Sequence, residues 1–412
     1  MTDPVLSICI PTYNRADFLD YLLTDIAGSQ FPFAIELVIS DNASTDLTRQ
    51  VVEKHAANGL PISYYRHDVN KGSVANYLSA HRRARGKFVM YAADDDLLIP
   101  GAVADAVGFL QNNPRVLAAY APWTLYDDVA KKDLRDFYSV EQDIIFETNQ
   151  IGEIFKFIVE RHIFPEIVIF RAEAVRSLIM AGNFCFQFFV DFAHVFARGP
   201  VAFLAKPFYR SVTVTHLRHD VAQVGMEQVM TEWDSYRGGL EYFVYKCLVT
   251  AGLAASPAEE QSLRATIDAF VDGRMSVAQR LWLGRKDFVR AYEILCRRRF
   301  FNPAIVAEEA GKFGNLQQMV AFQTLARLAN SIVDVQQVLL GDLPADGMVE
   351  PKLRECGLEP RIRVLAAPDM PSQDDLRSAI VLLQTEANRQ KFLDQGYQSG
   401  LIVSQTDLTA VL

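Results

Sequence analysis

The sequence contains no run of 18 to 20 apolar residues, few cysteines, no excess of positive charge and no glycine in the loop, PTYNR, that directly follows its first apolar segment. The missing apolar run excludes a membrane-spanning helix. The opening residues, MTDPVLSICIPTYNR, lack the basic start, apolar stretch and cleavage site of a secretory signal, so a cytoplasmic protein is expected. Cys9, Cys185, Cys247, Cys296 and Cys356 are scattered without paired metal-ligand spacing and read as reduced thiols. A formal charge of -9, from 41 basic and 50 acidic residues, argues against nucleic acid as the main partner. Repeats and low-complexity tracts are also lacking.

What is present is a globular composition: 412 residues, half of them hydrophobic, enough for two or three domains. In the first hundred residues a short apolar run repeatedly ends in polar residues and gives way to helical spacing. Strands are expected over residues 5–10, 35–39, 62–65 and 88–91, with helices after the first three, from about residues 16, 47 and 73. Such alternation predicts an α/β fold with a mainly parallel, doubly wound sheet. Ligands in these sheets bind beyond the carboxyl ends of the strands, where strand order reverses. All four polar clusters lie there.

The fourth cluster is the sharpest: KFVMYAADDDLLIP runs from a buried strand into Asp94, Asp95 and Asp96. Two ionised carboxylates ~5 Å apart repel by roughly 3 kcal/mol at an effective dielectric of about 20, so the triplet needs solvent, protons or a cation. A solvated turn leading to a helix at Pro100 is one reading. A site for Mg²⁺ or Mn²⁺ carrying substrate phosphates is the other, and the position at a strand end favours it.

Residues 223–330 read as helical, including a stretch from 280 to 303 that mixes six arginines and a lysine with aromatics; it is a basic face over a core stripe, or a membrane-surface contact. Beyond residue 331, short strands are expected over 333–340, 362–365, 380–383 and 401–403. Three domains follow: 1–222, 223–330 and a small α/β unit of unknown role, 331–412.

The segments LSICIPTYNRADFLDYLLTDI, ELVISDNASTDLT, NKGSVANY and GKFVMYAADDDLLIPG resemble, in order and spacing, family 2 glycosyltransferases with the nucleotide-sugar-binding GT-A fold, over roughly residues 5 to 220. They look most like bacterial enzymes of surface-polysaccharide synthesis, such as O-antigen and abequosyltransferase-like members. The resemblance implies that Pro11, Thr12, Tyr13, Asn14 and Arg15 hold the nucleotide, that Asp41 reads the base, and that Asn42 and Ser44 lie nearby. Lys71, Gly72 and Asn76 match a second nucleotide-contacting segment. Ser44 and Asp46 also suit a helix cap, and Lys71 a surface charge.

The acidic triplet falls on the family's Asp-x-Asp metal motif, which implies a divalent cation on Asp96 and Asp94, with Asp95 or Asp94 near the ribose or sugar. Many relatives carry a further Asp where this chain has Ala93. Transfer with inversion needs a base for the acceptor hydroxyl, and FQFFVDFAHVFARGPVAFL implies Asp191. Its other roles would be an N-cap or a partner for Arg198. In YRSVTVTHLRHD, Arg210, His216, Arg218 and His219 fall where relatives close a loop over the diphosphate, and His216 or His219 would complete the metal shell. His162 and Glu166 are candidates for an acceptor pocket, or for the core or surface.

The expected function is metal-dependent inverting transfer from a UDP-, dTDP- or CDP-linked sugar to a saccharide or lipid-linked glycan at the inner membrane face. A nucleotidyltransferase or a catalytically silent nucleotide-sugar-binding scaffold stays open, as does a homo-oligomer. The donor sugar and linkage depend on loop shapes that one sequence does not give.

Overall fold

Leu6, Ile8, Cys9 and Ile10 have no exposed surface, so the first strand, β1 (Leu6–Thr12), is covered on both faces, as its apolar run, broken only by the buried Ser7, demands. In the computed structural model, which describes residues 3–182, 184–217, 229–304, 316–343 and 347–410, three further strands join it: β2 (Ile35–Asp41), β3 (Ile62–Arg66) and β4 (Phe88–Tyr91). All four are parallel, with Cys9 beside Val38 on one side and Tyr91 on the other. Helices α1 (Ala16–Gly28), α2 (Thr48–Ala57) and α3 (Ser73–Arg83) connect them. The expected strand–helix alternation is therefore observed. Both β1 and β2 run two residues further into their polar clusters than expected.

Eight more strands follow in this unit: β5 (Leu97–Leu98), β6 (Ala118–Tyr120), β7 (Thr124–Asp127), β8 (Lys132–Asp136), β9 (Ile144–Phe146), β10 (Val168–Arg171), β11 (Val201–Phe203) and β12 (Tyr209–Val214). The main sheet has the order β3-β2-β1-β4-β10-β6-β11-β9, and a smaller one the order β5-β12-β7-β8. β10 lies antiparallel between β4 and β6, which makes the sheet mixed. The chain steps from β1 outward to β2 and β3, then returns to place β4 on the other side of β1. Strand order thus reverses between β1 and β4, at the end that carries Thr12 and the acidic triplet.

Further described helices of the unit include α4 (Pro100–Asn112), α5 (Ile151–Glu160), α6 (Ala172–Val175), α7 (Gln187–Phe196) and α8 (Trp233–Thr250). Phe189, Phe192 and Phe196 of α7 and Phe243 of α8 are wholly buried, with the rings of Phe192 and Phe243 5.1 Å apart. At about 1.5–3 kcal/mol per buried aromatic side chain, this contact anchors α8 firmly.

The chain divides into two units, residues 1–227 with 232–271 and residues 228–231 with 272–412. The expected separate helical domain is therefore split: α8 belongs to the first unit, and the boundary at Asp272 falls inside the helix Pro257–Gly284. In the second unit, Phe288–Phe301 and Leu316–Ser331 are helices, and a parallel sheet has the order Arg363–Ala366, Gln337–Leu340, Ala379–Leu383, Ile402–Ser404. The strand expected over 333–340 starts late because Val333 is 87% exposed and the chain turns before Gln337.

Arg298, read as part of a basic face, is buried instead; its Nε donates to Asp272 Oδ1 at 2.7 Å and its Nη1 to Gln279 at 2.8 Å. Among the described residues, no helix is long and apolar enough to cross a membrane.

Candidate active site

Two loops after β1 and β2 form one rim because each satisfies the other's backbone. Asn14 sits at φ 54°, a left-handed conformation that Asn tolerates. Its N–H donates to Ser44 Oγ at 2.9 Å, and its Oδ1 accepts the Thr45 N–H at 2.7 Å. Asp46 caps across the loops: Oδ2 accepts the Ala16 N–H that opens α1, and Oδ1 accepts the Thr48 N–H that opens α2, both at 3.0 Å. Asp41 is fully buried, its Oδ1 accepting the Ser44 N–H at 2.8 Å and its Oδ2 the Tyr64 hydroxyl at 2.6 Å. Arg66 Nε lies 3.5 Å from the same Oδ2. Asp41 thus holds the floor of the rim, with both carboxylate oxygens already engaged.

The third loop is tied to the same floor. Asn42 donates to Asn70 Oδ1 at 2.9 Å and accepts the Lys71 N–H at 2.8 Å. Asn76, buried in α3, donates to the carbonyls of Ser40 at 2.9 Å and Thr12 at 3.3 Å, joining the ends of β2 and β1. Gly72 has φ 88° and ψ 161°, a region essentially closed to other residues. The Lys71 side chain is exposed, as is 42% of Tyr13.

Between β1 and β4, Thr12 Oγ1 donates to Asp94 Oδ2 at 2.6 Å. Arg15, stacked 4.5 Å over the Phe18 ring, places Nε 2.8 Å from Asp94 Oδ1 and Nη2 against Asp95 Oδ2. Asp96 turns toward the second sheet, where its Oδ1 accepts the Val212 N–H of β12 at 2.8 Å. The buried Tyr209 fixes the same turn, its hydroxyl accepting the Ala93 N–H at 2.9 Å. Burial pushes the carboxyls of Asp94 and Asp96 upward; Arg15 opposes this at Asp94, while Asp95 adds to it at Asp96. Asp96 has no ion-pair partner among the described residues.

The expected base, Asp191, lies within the second turn of α7 and is only 2% exposed. Its Oδ1 accepts a hydrogen bond from Gln187 Nε2 at 2.8 Å. Oδ2 is buried without a hydrogen bond, and Tyr77 is its neighbour. Burial pushes its pKa to about 7. It neither caps α7, which opens at Gln187, nor pairs with Arg198.

His216 is engaged elsewhere: its Nδ1 stands 2.8 Å from Asp128 Oδ2, while Asp128 Oδ1 accepts from Lys131 Nζ at 2.7 Å and from the Tyr21 hydroxyl. No three His, Cys, Asp or Glu groups converge to hold a metal among the described residues, so His216 does not form a ready-made cage with Asp94 and Asp96. Arg210 makes a two-pronged pair with Asp133 at 2.7 and 2.9 Å. Arg218 and His219 lie outside the described residues. His162 stacks on Phe270 at 5.1 Å. Glu166 is half-buried on the loop before β10, and burial pushes it to about 7.

The structure therefore brings Thr12, Arg15, Asp94 and Asp95 into one contact network, with Asp41, Asn42, Gly72 and Asn76 bracing its edge. Pro11 is half-buried between the buried Ile10 and Thr12 of β1, and Tyr13 beyond them is exposed. Sequence reading did not identify Tyr64, Arg66, Tyr209 or the Val212 amide. The first two stand at the end of β3, where the strand-end rule points, whereas β12 reaches Asp96 from 116 positions away.

The model of glycosyl transferase family 2 matches residues 7–178. Abequosyltransferase RfbV of Salmonella typhimurium is 39% identical over 102 residues, 24% of this chain and 31% of that protein. Staphylococcus aureus TarS, a poly(ribitol-phosphate) beta-N-acetylglucosaminyltransferase, is 32% identical over 109 residues, 26% of this chain and 19% of that protein. The chain thus matches less than a third of the length of either relative. A crystal structure of S. aureus TarS 1–349 in complex with UDP-GlcNAc has a TM-score of 0.49 at 17% identity, covering 73% of this chain and 82% of that one.

Proposed function

From the match of residues 7–178 to the model of glycosyl transferase family 2, we propose that this chain moves a sugar, with inversion, from a nucleotide-sugar donor to a saccharide or lipid-linked glycan acceptor. The observation that carries the reading is the link from Thr12 to Asp94 across the strand-order reversal, with two further carboxylates beside it. The rim loops supply the nucleotide site. Tyr13 gives a face for the base, Lys71 and Arg15 give positive charge to the diphosphate, and Gly72 lets backbone approach closely. UDP-, dTDP- and CDP-sugars are the donor candidates.

The carboxylates fit a divalent cation. They are hard oxygen donors, burial disfavours their charge, and Asp96 lacks a cationic neighbour among the described residues. Mg²⁺ takes one or two carboxylates and completes its shell with phosphate and water, so a full protein cage is not required. Asp96, with Asp94, would hold Mg²⁺ or Mn²⁺, which when bound supplies charge to the leaving diphosphate. Arg15, already held by Asp94 and Asp95, orients them and is available to the phosphates. That pairing also favours a second reading, a silent nucleotide-sugar binder in which Arg15 alone balances the acids.

Thermal-shift and hydrolysis assays with UDP-, dTDP- and CDP-hexoses, with and without Mn²⁺, test both. Mn²⁺-dependent hydrolysis that Asp96→Asn abolishes supports the enzyme. Stabilisation without any hydrolysis supports the binder, and neither effect with any nucleotide sugar overturns the proposal. The work is assigned to the cytoplasmic face of the inner membrane, where lipid-linked acceptors are built.

A further inference from the structure

The loop that opens α7 is pinned onto α8. The Phe186 N–H donates to the Ser235 carbonyl at 2.8 Å, and two glycines of α8 mark where the backbones cross. A Cβ at Gly238 would run into the Phe184 carbonyl oxygen, and one at Gly239 would lie 3.0 Å from the Phe189 side chain. This fixed loop nevertheless holds Phe184 87% exposed, and α8 holds Tyr245 70% exposed. With Cys185, Arg237 and Tyr242 they line one groove of about 550 Å³, the size of a small-molecule site. Tyr242 is itself held in place: its hydroxyl lies 2.7 Å from His194 Nε2, and the two rings stack at 5.8 Å. Large apolar side chains kept in water by a rigid backbone mark a binding surface.

The rim of the groove says what it takes. Asp234 and Glu241 stand exposed there, and the lining cation, Arg237, is held by Asp268 at 2.7 Å. The lining is therefore acidic, which disfavours phosphate headgroups and acidic peptides. Hydroxyl groups donate to carboxylates, and the C–H face of a sugar ring packs against an aromatic face. Place agrees with chemistry. From Phe186, next to the lining Cys185, ring contacts pass to Phe188 at 5.5 Å and on to Tyr91, the last residue of β4, at 6.0 Å. Tyr91 stands three positions before Asp94.

We propose that this groove is a subsite for a neutral saccharide, the part of the acceptor glycan beyond the sugar that is being extended. This rests on the glycosyltransferase reading above and adds to it a stretch of acceptor. Phe184 and Tyr245 stack on ring faces, and the rigid Tyr242 walls the groove between them and α7. Asp234 and Glu241 accept hydrogen bonds from ring hydroxyls and set which stereochemistry is held, because a hydroxyl pointing away leaves a carboxylate unmatched.

The test uses the full chain, an array of short neutral oligosaccharides of hexose and N-acetylhexosamine units, and vesicles of mixed phosphatidylethanolamine and phosphatidylglycerol. The wild type should bind one or more of the oligosaccharides and leave the vesicles. Phe184→Ala and Tyr245→Ala should each weaken that binding at least ~10-fold, and Tyr245→Trp should retain it. In all three variants the thermal shift by the nucleotide sugar should stay within about a degree of wild type. Asp191→Asn, a change inside α7, should bind the oligosaccharide as the wild type does. Overturning outcomes are no oligosaccharide bound, binding that neither alanine variant weakens, or vesicle binding that both alanine variants abolish. If the wild type consumes no nucleotide sugar but binds the oligosaccharide through these rings, the transfer reading fails and the groove stands. Consumption of the donor with no oligosaccharide bound sinks the groove alone.

Discussion

Asp191→Asn also separates burial from chemistry through stability. The Asp191 carboxyl is 2% exposed, and burial raises it to about 7 from the ~3.9 expected of an unfolded chain. The folded state therefore holds this proton more tightly than the unfolded state. Its stabilising contribution is complete below about pH 4 and is lost as pH rises through about 7. About three pKa units at 1.36 kcal/mol each give a loss on the order of 4 kcal/mol between those limits.

Asn is neutral throughout and still presents an Oδ1 to Gln187 Nε2, which lies 2.8 Å away in the wild type. The variant should match the wild type near pH 4 and exceed it by up to roughly 4 kcal/mol above pH 8. Urea unfolding of both proteins at pH 4.5, 6, 7 and 8.5 reads this as a difference curve in which other titrating groups cancel. Parallel curves would refute the reasoning, since an Asp191 with an ordinary carboxylate pKa leaves no pH-dependent difference above pH 5.

Other sites give sharp expectations. Asp46→Ala removes acceptors from the starts of two helices and should cost about 1–3 kcal/mol, measured by urea unfolding. Gly72→Ala forces a side chain to φ 88°, so about 1–2 kcal/mol of stability and at least part of the nucleotide-induced thermal shift should be lost. Gly341→Ala would set a Cβ 2.5 Å from Leu383 Cδ2 and 2.9 Å from Phe392 Cζ; a drop of about 1–3 kcal/mol in the second unit is expected from its thermal unfolding. Arg298→Ala, which strands Asp272, should destabilise that unit by about 3–5 kcal/mol, whereas Arg297→Ala should cost under ~1 kcal/mol by the same measurement.

The first four strands were legible because each is a local event: an apolar run, a polar stop, then helical spacing. The acidic triplet was legible for the same reason, since its position at the end of β4 follows from the run Phe88–Tyr91. The antiparallel insertion of β10 between β4 and β6 was not, because pairing across some eighty residues leaves no periodic trace near either strand. Glu166 consequently read as a pocket or surface residue without a precise neighbour. The division between units was also hidden: it falls within the 28-residue helix Pro257–Gly284, where a lone Gly273 inside continuous helical spacing does not read as a linker. Arg298 shows the limit of composition, since a charge looks solvated in a list of residues until Asp272, 26 positions away, is found against it.

The cap that Asp46 places on α1 has a practical meaning for anyone recombining this protein with its cousins. A chimera that imports the segment around Tyr13 alone would set a foreign helix start against the native Asp46, and one that imports the segment around Ser44 alone would set a foreign cap against the native start of the first helix. Whatever specificity these two loops carry should therefore transplant only when both segments travel together, as a single cassette.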